Sequence, residues 1–420
     1  MTLLLTNARL IDPEAGTDEL GSLVIDDGKI MARNAEPRVA EVVDCGGLCL
    51  APGIVDIGVK VCEPGERHKE SFGSAGLAAR RGGVTTIVTR PDTEPTIDTP
   101  EMLEFQKRRA EAAQPVKVLP MAALTRGRAG AEMAEIGFLQ DAGAAAFTDC
   151  DAPVTNTKVL SRAMTYAAGL GALVIGHPQE PILSKGAAMT SGQYASQLGL
   201  PAVSPLAERM GLERDLALVE ATGVRYHADQ ITCAAALPVL QRGRDAGLSI
   251  TAGTSIHHLT LNLLDVADYR TFFKVKPPLR SEDDRLALVE ALADGQIDII
   301  SSMHTPQDEE SKRLPFEEAA SGAVALETLL PAALQLVHAG HLGLPALFRA
   351  LSLNPANLLS LPQGRLSEGA PADLILFDPN VPYRLNRFEL ASKSKNTPFD
   401  ERLMQGKVSR VWIDGKEAAL

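Results

Sequence analysis

SEDDRLALVEALADGQIDIISSMH, residues 281–304, sets the pattern for the whole chain. Ser281 is placed to cap a helix, and acidic residues fill its first turn. Leu286, Val289 and Leu292 recur on one face before Gly295 ends it. The apolar run 297–303 that follows reads as a buried strand. Seven similar runs precede it: 54–61 (IVDIGVKV), 84–89 (VTTIVT), 116–121 (VKVLPM), 143–149 (GAAAFTD), 172–177 (ALVIGH), 224–231 (VRYHADQI) and 248–254 (LSITAGT). Eight strands alternating with helical stretches predict parallel βα units, and eight is the number that closes a TIM-like barrel.

Outward from this region the character changes. TLLLTNARLID, GSLVIDDGKIMA with its Asp27-Gly28 turn, and VVDCGGLCLAPG read as a meander of short strands. ADLILFDPN near 372–380 and VSRVWIDGKEA near 408–418, with an Asp414-Gly415 turn, repeat that character at the other end. The expected architecture is α/β. A (β/α)8 barrel spans 53–360, and a small β-sandwich is built from both termini, 1–52 and 361–420.

Of the 420 residues, 41 are Lys or Arg and 53 are Asp or Glu, a net charge of −12, and 45% are hydrophobic. That apolar share suits a large core and excludes disorder. The acidic balance and 4% aromatic content exclude a nucleic-acid surface. Cys45, Cys49, Cys62, Cys150 and Cys233 are scattered without zinc-finger spacing, so reduced intracellular thiols are expected. The first residues lack a basic leader, and no apolar run approaches the roughly 18 residues that span a bilayer, so a cytoplasmic protein without membrane contact is expected. G-x-G-x-x-G, Walker A and G-x-S-x-G motifs are absent from the sequence.

Barrel chemistry sits at the C-terminal ends of the strands. Those ends carry Asp56, Gly58 and Lys60, then Asp92, Asp149, His177, His227 to Gln230, and Met303-His304. Asp149 and one or two imidazoles, His177 and His304, could converge, with a lysine nearby. A hydrolytic metal centre needs at least three ligands plus an open position, and two candidates fall short of that. The run Asp308-Glu309-Glu310 reads as solvated surface.

APGIVDIGVKVCEPG, GVTTIVTRPDTEPTID, GAAAFTDCD, YHADQIT, KVKPPLRSEDDR, DIISSMHTP and SKSKNTPF fall in order along the chain. Through them the sequence resembles the dihydroorotase branch of the amidohydrolase superfamily over essentially its whole length. The resemblance implies the same barrel and β-sandwich, one or two zinc ions, and interconversion of carbamoyl aspartate and dihydroorotate. Carried over residue by residue, it places the family's His-x-His pair on Gly58 and Lys60. Its strand 6 histidine falls on Gln230, and its strand 8 aspartate, both ligand and general base, on Met303. Asp149 and His177 remain, with Cys150 where a second aspartate is usual. The positions that grip the substrate anion fall on Cys62, Asp92 and Gln307.

Glycine and a protonated lysine offer a metal no lone pair, and a thioether takes no proton from water. The implied reading is therefore a catalytically inactive homologue, without zinc and without catalytic or substrate-binding residues. It would serve as a structural subunit on the aspartate carbamoyltransferase catalytic chain, six plus six, and as a homodimer through the barrel. The alternative is an active metal-dependent cyclic amidohydrolase with an altered site. A further rival is a regulator whose mouth attracts an anion through Lys60, Arg90 and Lys276. Lys60 is expected either to stand where a metal charge would be and pair with Asp149, or to turn towards solvent. The pair His257-His258 resembles a mobile loop of the family, so a loop or surface position is expected. Cys62 and Cys150 are expected to be inert buried thiols, with a soft metal site beside His177 as the alternative.

Overall fold

In the computed structural model, residues 2–35, 40–113 and 116–420 are described. Asp27 and Gly28 take φ of 45° and 74°, and Asp414 and Gly415 take 48° and 72°. This left-handed pair matches the twist of a tight hairpin. The first turn joins Thr17–Asp26 to Lys29–Arg33, and the second joins Leu403–Ile413 to Lys416–Ala418. Both hairpins lie in one eight-stranded sheet. Its order runs from Lys416–Ala418 through Leu403–Ile413, Leu374–Arg384, Cys49–Pro52, Leu3–Asp12 and Thr17–Asp26 to Lys29–Arg33, and Glu41–Asp44 pairs with Leu3–Asp12. The two ends of the chain meet antiparallel, Leu374 opposite Pro52 and Phe377 opposite Cys49. Leu5, Leu10, Leu23, Leu50, Leu374 and Trp412 form a core of their own beneath it.

The barrel begins at Ile54. Ile54–Val59, Val84–Thr89 and Lys117–Pro120 pair in parallel, as do Leu173–Gly176, Arg225–Ala228, Ile250–Ser255 and Ile299–Ser301. The run 143–149 forms no strand of its own. Phe147 alone bridges Ala122 on one side and Val174 on the other. Three successive alanines give that segment little to hold an extended ladder, and Phe147 supplies its packing. The first and last strands meet where Lys60 N donates to His304 O at 2.9 Å.

The helix Glu282–Ala293 has the expected cap. The Ser281 side chain accepts from Asp284 N, and Asp284 reaches back to the Ser281 backbone. Its buried face differs slightly from the expected one: Leu288, Val289 and Leu292 are buried, whereas Leu286 is exposed. Among the described residues all five cysteines are free and buried, and no helix is long and apolar enough to cross a membrane.

Candidate functional site

The strand ends converge on a mouth whose backbone is strained. Gly58 adopts φ of 90°, and a Cβ there would lie 2.8 Å from Met303 Sδ. The thioether therefore fills the space that a side chain at 58 would use. Cys62, Arg128, Cys150, Gln230 and Met303 also take left-handed φ, a region non-glycine residues seldom occupy.

Charge at the mouth is paired off in a chain of ion pairs. Lys60 Nζ lies 3.2 Å from Asp92 Oδ2 and 3.8 Å from Glu66 Oε2. Arg90 grips the same Asp92 with two prongs, Nε at 3.0 Å and Nη2 at 2.8 Å. Burial is the largest influence on the Lys60 charge and opposes it, but its neighbours, Asp92 foremost, together hold the lysine above its ordinary pKa. The expected pair with Asp149 does not form. That carboxylate turns instead to Leu124 N, Thr125 N and Thr125 Oγ1 at 3.0, 2.9 and 2.5 Å, because the adjoining turn offers it three donors. Burial pushes the Asp149 carboxyl upward despite those bonds. One step further along the rim, Asp151 is met by Arg128 Nη2 at 3.1 Å, Lys276 Nζ at 3.3 Å and Arg90 Nη2 at 3.5 Å.

The imidazoles do not gather. His177 is buried, and neither ring nitrogen has a partner. Burial lowers its pKa to about 3, so it is neutral at physiological pH. It lines a cavity of about 350 Å³ together with Asp151, Gln179, Lys185 and Lys276. His304 turns the other way. Its Nδ1 accepts from Ala325 N and Leu326 N, which places the proton on Nε2, 3.3 Å from Glu70 Oε2. Glu70 also accepts from the Ser74 and Ser392 hydroxyls, tying the tail segment to the barrel. His227 Nδ1 meets Thr251 Oγ1 at 2.8 Å inside the barrel.

His257 and His258 are not in a surface loop. They sit buried in the short helix Ile256–Thr260, where His257 stacks on Phe399 and His258 bonds Ser255 Oγ. Asp308 is more than solvated surface, since its carboxylate accepts from Ser311 N at 2.8 Å and caps the helix Glu309–Arg313. Gln307 donates to Ser321 O at 2.9 Å and so ties down a loop. Cys62 and Cys150 are buried; burial pushes the first thiol up to about 12 and the second higher still.

The family resemblance implies zinc, which needs several converging lone pairs. Gly58 and Lys60 offer none, Asp149 has committed its oxygens to the Leu124–Thr125 turn, and Met303 is packed over Gly58. Among the described residues no three His, Cys, Asp or Glu side chains converge as a metal site. This residue set does not fit a zinc ion. What the mouth does offer is a row of cations, a neutral imidazole and a cavity, which suit binding and orienting an anion. Arg128, Asp151 and Glu66 were not singled out by sequence reasoning, although Asp151 stands only two residues beyond Asp149.

The dihydro-orotase-like family matches residues 47–235 of this chain. A protein named dihydroorotase from Wolbachia sp. subsp. Drosophila simulans (strain wRi) is 38% identical over 416 residues, covering 98% of this chain and 94% of the relative. A dihydroorotase-like protein from Pseudomonas putida is 38% identical over 418 residues, covering 99% and 98%. The solved L-hydantoinase (dihydropyrimidinase) from Arthrobacter aurescens superposes with a TM-score of 0.90 at 23% identity, over 99% of this chain and 96% of that one. At that identity it establishes the fold, a barrel with a β-sandwich. Two expectations are corrected by the sequence relatives. An inactive homologue is overturned by a near full-length relative named dihydroorotase, which points to an enzyme. The expectation of no cofactor is corrected with it, since the resemblance that implies zinc is to the family whose name this relative carries.

Proposed function

This chain belongs to the dihydroorotase-like family of the amidohydrolase superfamily, and from that premise we propose that it acts on the carbamoyl aspartate–dihydroorotate pair of pyrimidine biosynthesis. It does so at an altered barrel mouth and in association with an aspartate carbamoyltransferase. The observation that carries the reading is the strain at Cys62, Arg128, Cys150, Gln230 and Met303. Left-handed non-glycine residues persist only where their surroundings over-determine them, and they cluster at active sites and ligand clamps.

The chemistry assigned to these side chains is binding and orientation. Arg128 and Lys276 supply charge-assisted donors to a substrate carboxylate. His177, being neutral, offers one N–H and one lone pair to the ureido group. No step is routed through zinc, which the residues present do not fit.

Calorimetric titration of the full chain with carbamoyl aspartate and with dihydroorotate tests the proposal, alongside an assay of ring closure and opening with and without added zinc. Binding of both compounds and measurable interconversion are expected. Absence of both binding and turnover refutes it. The partner clause is tested by gel filtration with the transcarbamoylase catalytic chain. A single large species is expected, six plus six, and separate elution removes that clause. Elution of the chain alone as a dimer checks the expected self-association.

A further inference from the structure

Three cations from three separate segments converge on one carboxylate at the rim. Arg90 follows the strand Val84–Thr89, Arg128 ends the turn Arg126–Arg128, and Lys276 precedes the helix Glu282–Ala293. All three face Asp151, at 3.5, 3.1 and 3.3 Å. Arg90 also holds Asp92, but among the described residues Asp151 is the only carboxylate that Arg128 or Lys276 meets. The Asp151 carboxylate in turn is held by these cations and by no backbone N–H or hydroxyl among the described residues. Its side chain is 33% exposed, and it stands at the head of a stretch, 151–156, with neither helix nor strand. It can leave without unravelling an element.

Next to it lies a cavity of about 350 Å³ lined by Asp151, Lys276 and His177, and the two ring nitrogens of that histidine are buried without a partner. A buried polar group without a partner costs free energy until something binds it. The cations thus already hold a tethered anion, while the adjoining cavity holds a polar group with none.

We propose that Arg128, Lys276 and Arg90 form an oxyanion cradle, that Asp151 is its built-in occupant, and that a soluble oxyanion entering against His177 displaces it. The proposal rests on the functional reading above for its substrate, and it adds a regulatory device to that site. Exchanging one carboxylate for another conserves the ion pairs, so the opposition to ligand is the effective concentration of the tethered group, which for a short tether is of millimolar order. A carboxylate and a phosphate share the required chemistry, and the two arms of the experiment separate them.

The test is calorimetric titration of the full wild-type chain, Asp151→Asn and the double variant Asp151→Asn/Arg128→Gln with inorganic phosphate and, separately, with carbamoyl aspartate. Phosphate should bind Asp151→Asn at least about tenfold more tightly than wild type, and the gain should vanish in the double variant. Equal phosphate affinity in wild type and Asp151→Asn overturns the proposal. Should Asp151→Asn fold poorly, Arg128→Gln in the otherwise wild-type chain must weaken phosphate binding, and an unchanged affinity overturns the cradle. If Asp151→Asn gains phosphate affinity but no variant binds carbamoyl aspartate, the cradle stands and the functional reading alone fails. If phosphate binds wild type and Asp151→Asn equally while carbamoyl aspartate binds both, the cradle alone fails.

Discussion

On the side of the mouth built from the first two strands, buried charge is met by buried charge: Asp92 lies between Lys60 and Arg90, and its side chain is only 6% exposed. On the opposite side His177 is just as buried, yet both its nitrogens are without a partner. The two sides share a depth and differ in saturation. A fully satisfied polar network rigidifies the structure around it, whereas an unsatisfied group stores a cost that a ligand can relieve. The first side holds the mouth in shape, and the second leaves it something to bind.

Removing the shared carboxylate breaks the saturated side hardest. Among the described residues, Asp92→Ala leaves Lys60 only the longer contact with Glu66 and Arg90 only that with Asp151, at a cost of about 3 kcal/mol. A large fall in the urea midpoint checks this, and an unmoved midpoint would show the pairs to be ornamental. Gly58→Ala comes next. Its left-handed φ and the 2.8 Å approach to Met303 Sδ should cost about 1–3 kcal/mol. Adding Met303→Ala should remove the clash and leave the backbone penalty, so partial recovery in the double variant separates the two.

Acid probes the buried imidazoles, of which His177 on the unsatisfied side is one. His177, His227, His257 and His258 are each lowered to about 3 by burial, from an ordinary 6.5. Below the ordinary value the unfolded chain takes up protons that the folded chain refuses. Stability is therefore fully present above that pH and is lost as pH falls, by about 1.4 kcal/mol per unit for each histidine. His257→Leu should take one proton from that slope in denaturation series between about pH 7 and pH 5; an unaltered slope would mean that His257 titrates normally. Smallest is Asp308→Ala, outside both sides, where loss of the cap on Glu309–Arg313 should cost about 1 kcal/mol. Thermal melting checks it, and a loss as large as that of Asp92→Ala would erase the contrast between mouth and periphery.

Much of the frame was legible because it is local. Hydrophobic runs, the Ser281 cap and the two Asp-Gly turns are written within a few residues of where they act. The run 143–149 was read as a full strand because its apolar character was visible while the weak ladder of three alanines was not. The site was harder to read because its pairs are distant in sequence. Lys60 meets Asp92 rather than Asp149, since a turn at Leu124–Thr125 claims the latter first. Asp151 draws together Arg90, Arg128 and Lys276, and no spacing along the chain announces that meeting. His304 and Glu70 are likewise joined across 234 positions.

The sheet that unites the two ends has a consequence for synthesis. Cys49–Pro52 receives its neighbour Leu374–Arg384 only after the whole barrel has been translated. At about 5–20 residues per second that is a delay of tens of seconds, during which a nascent chain presents a bare apolar strand edge to its surroundings. Ribosomes stalled before Leu374 would release a product inclined to stick to its own kind.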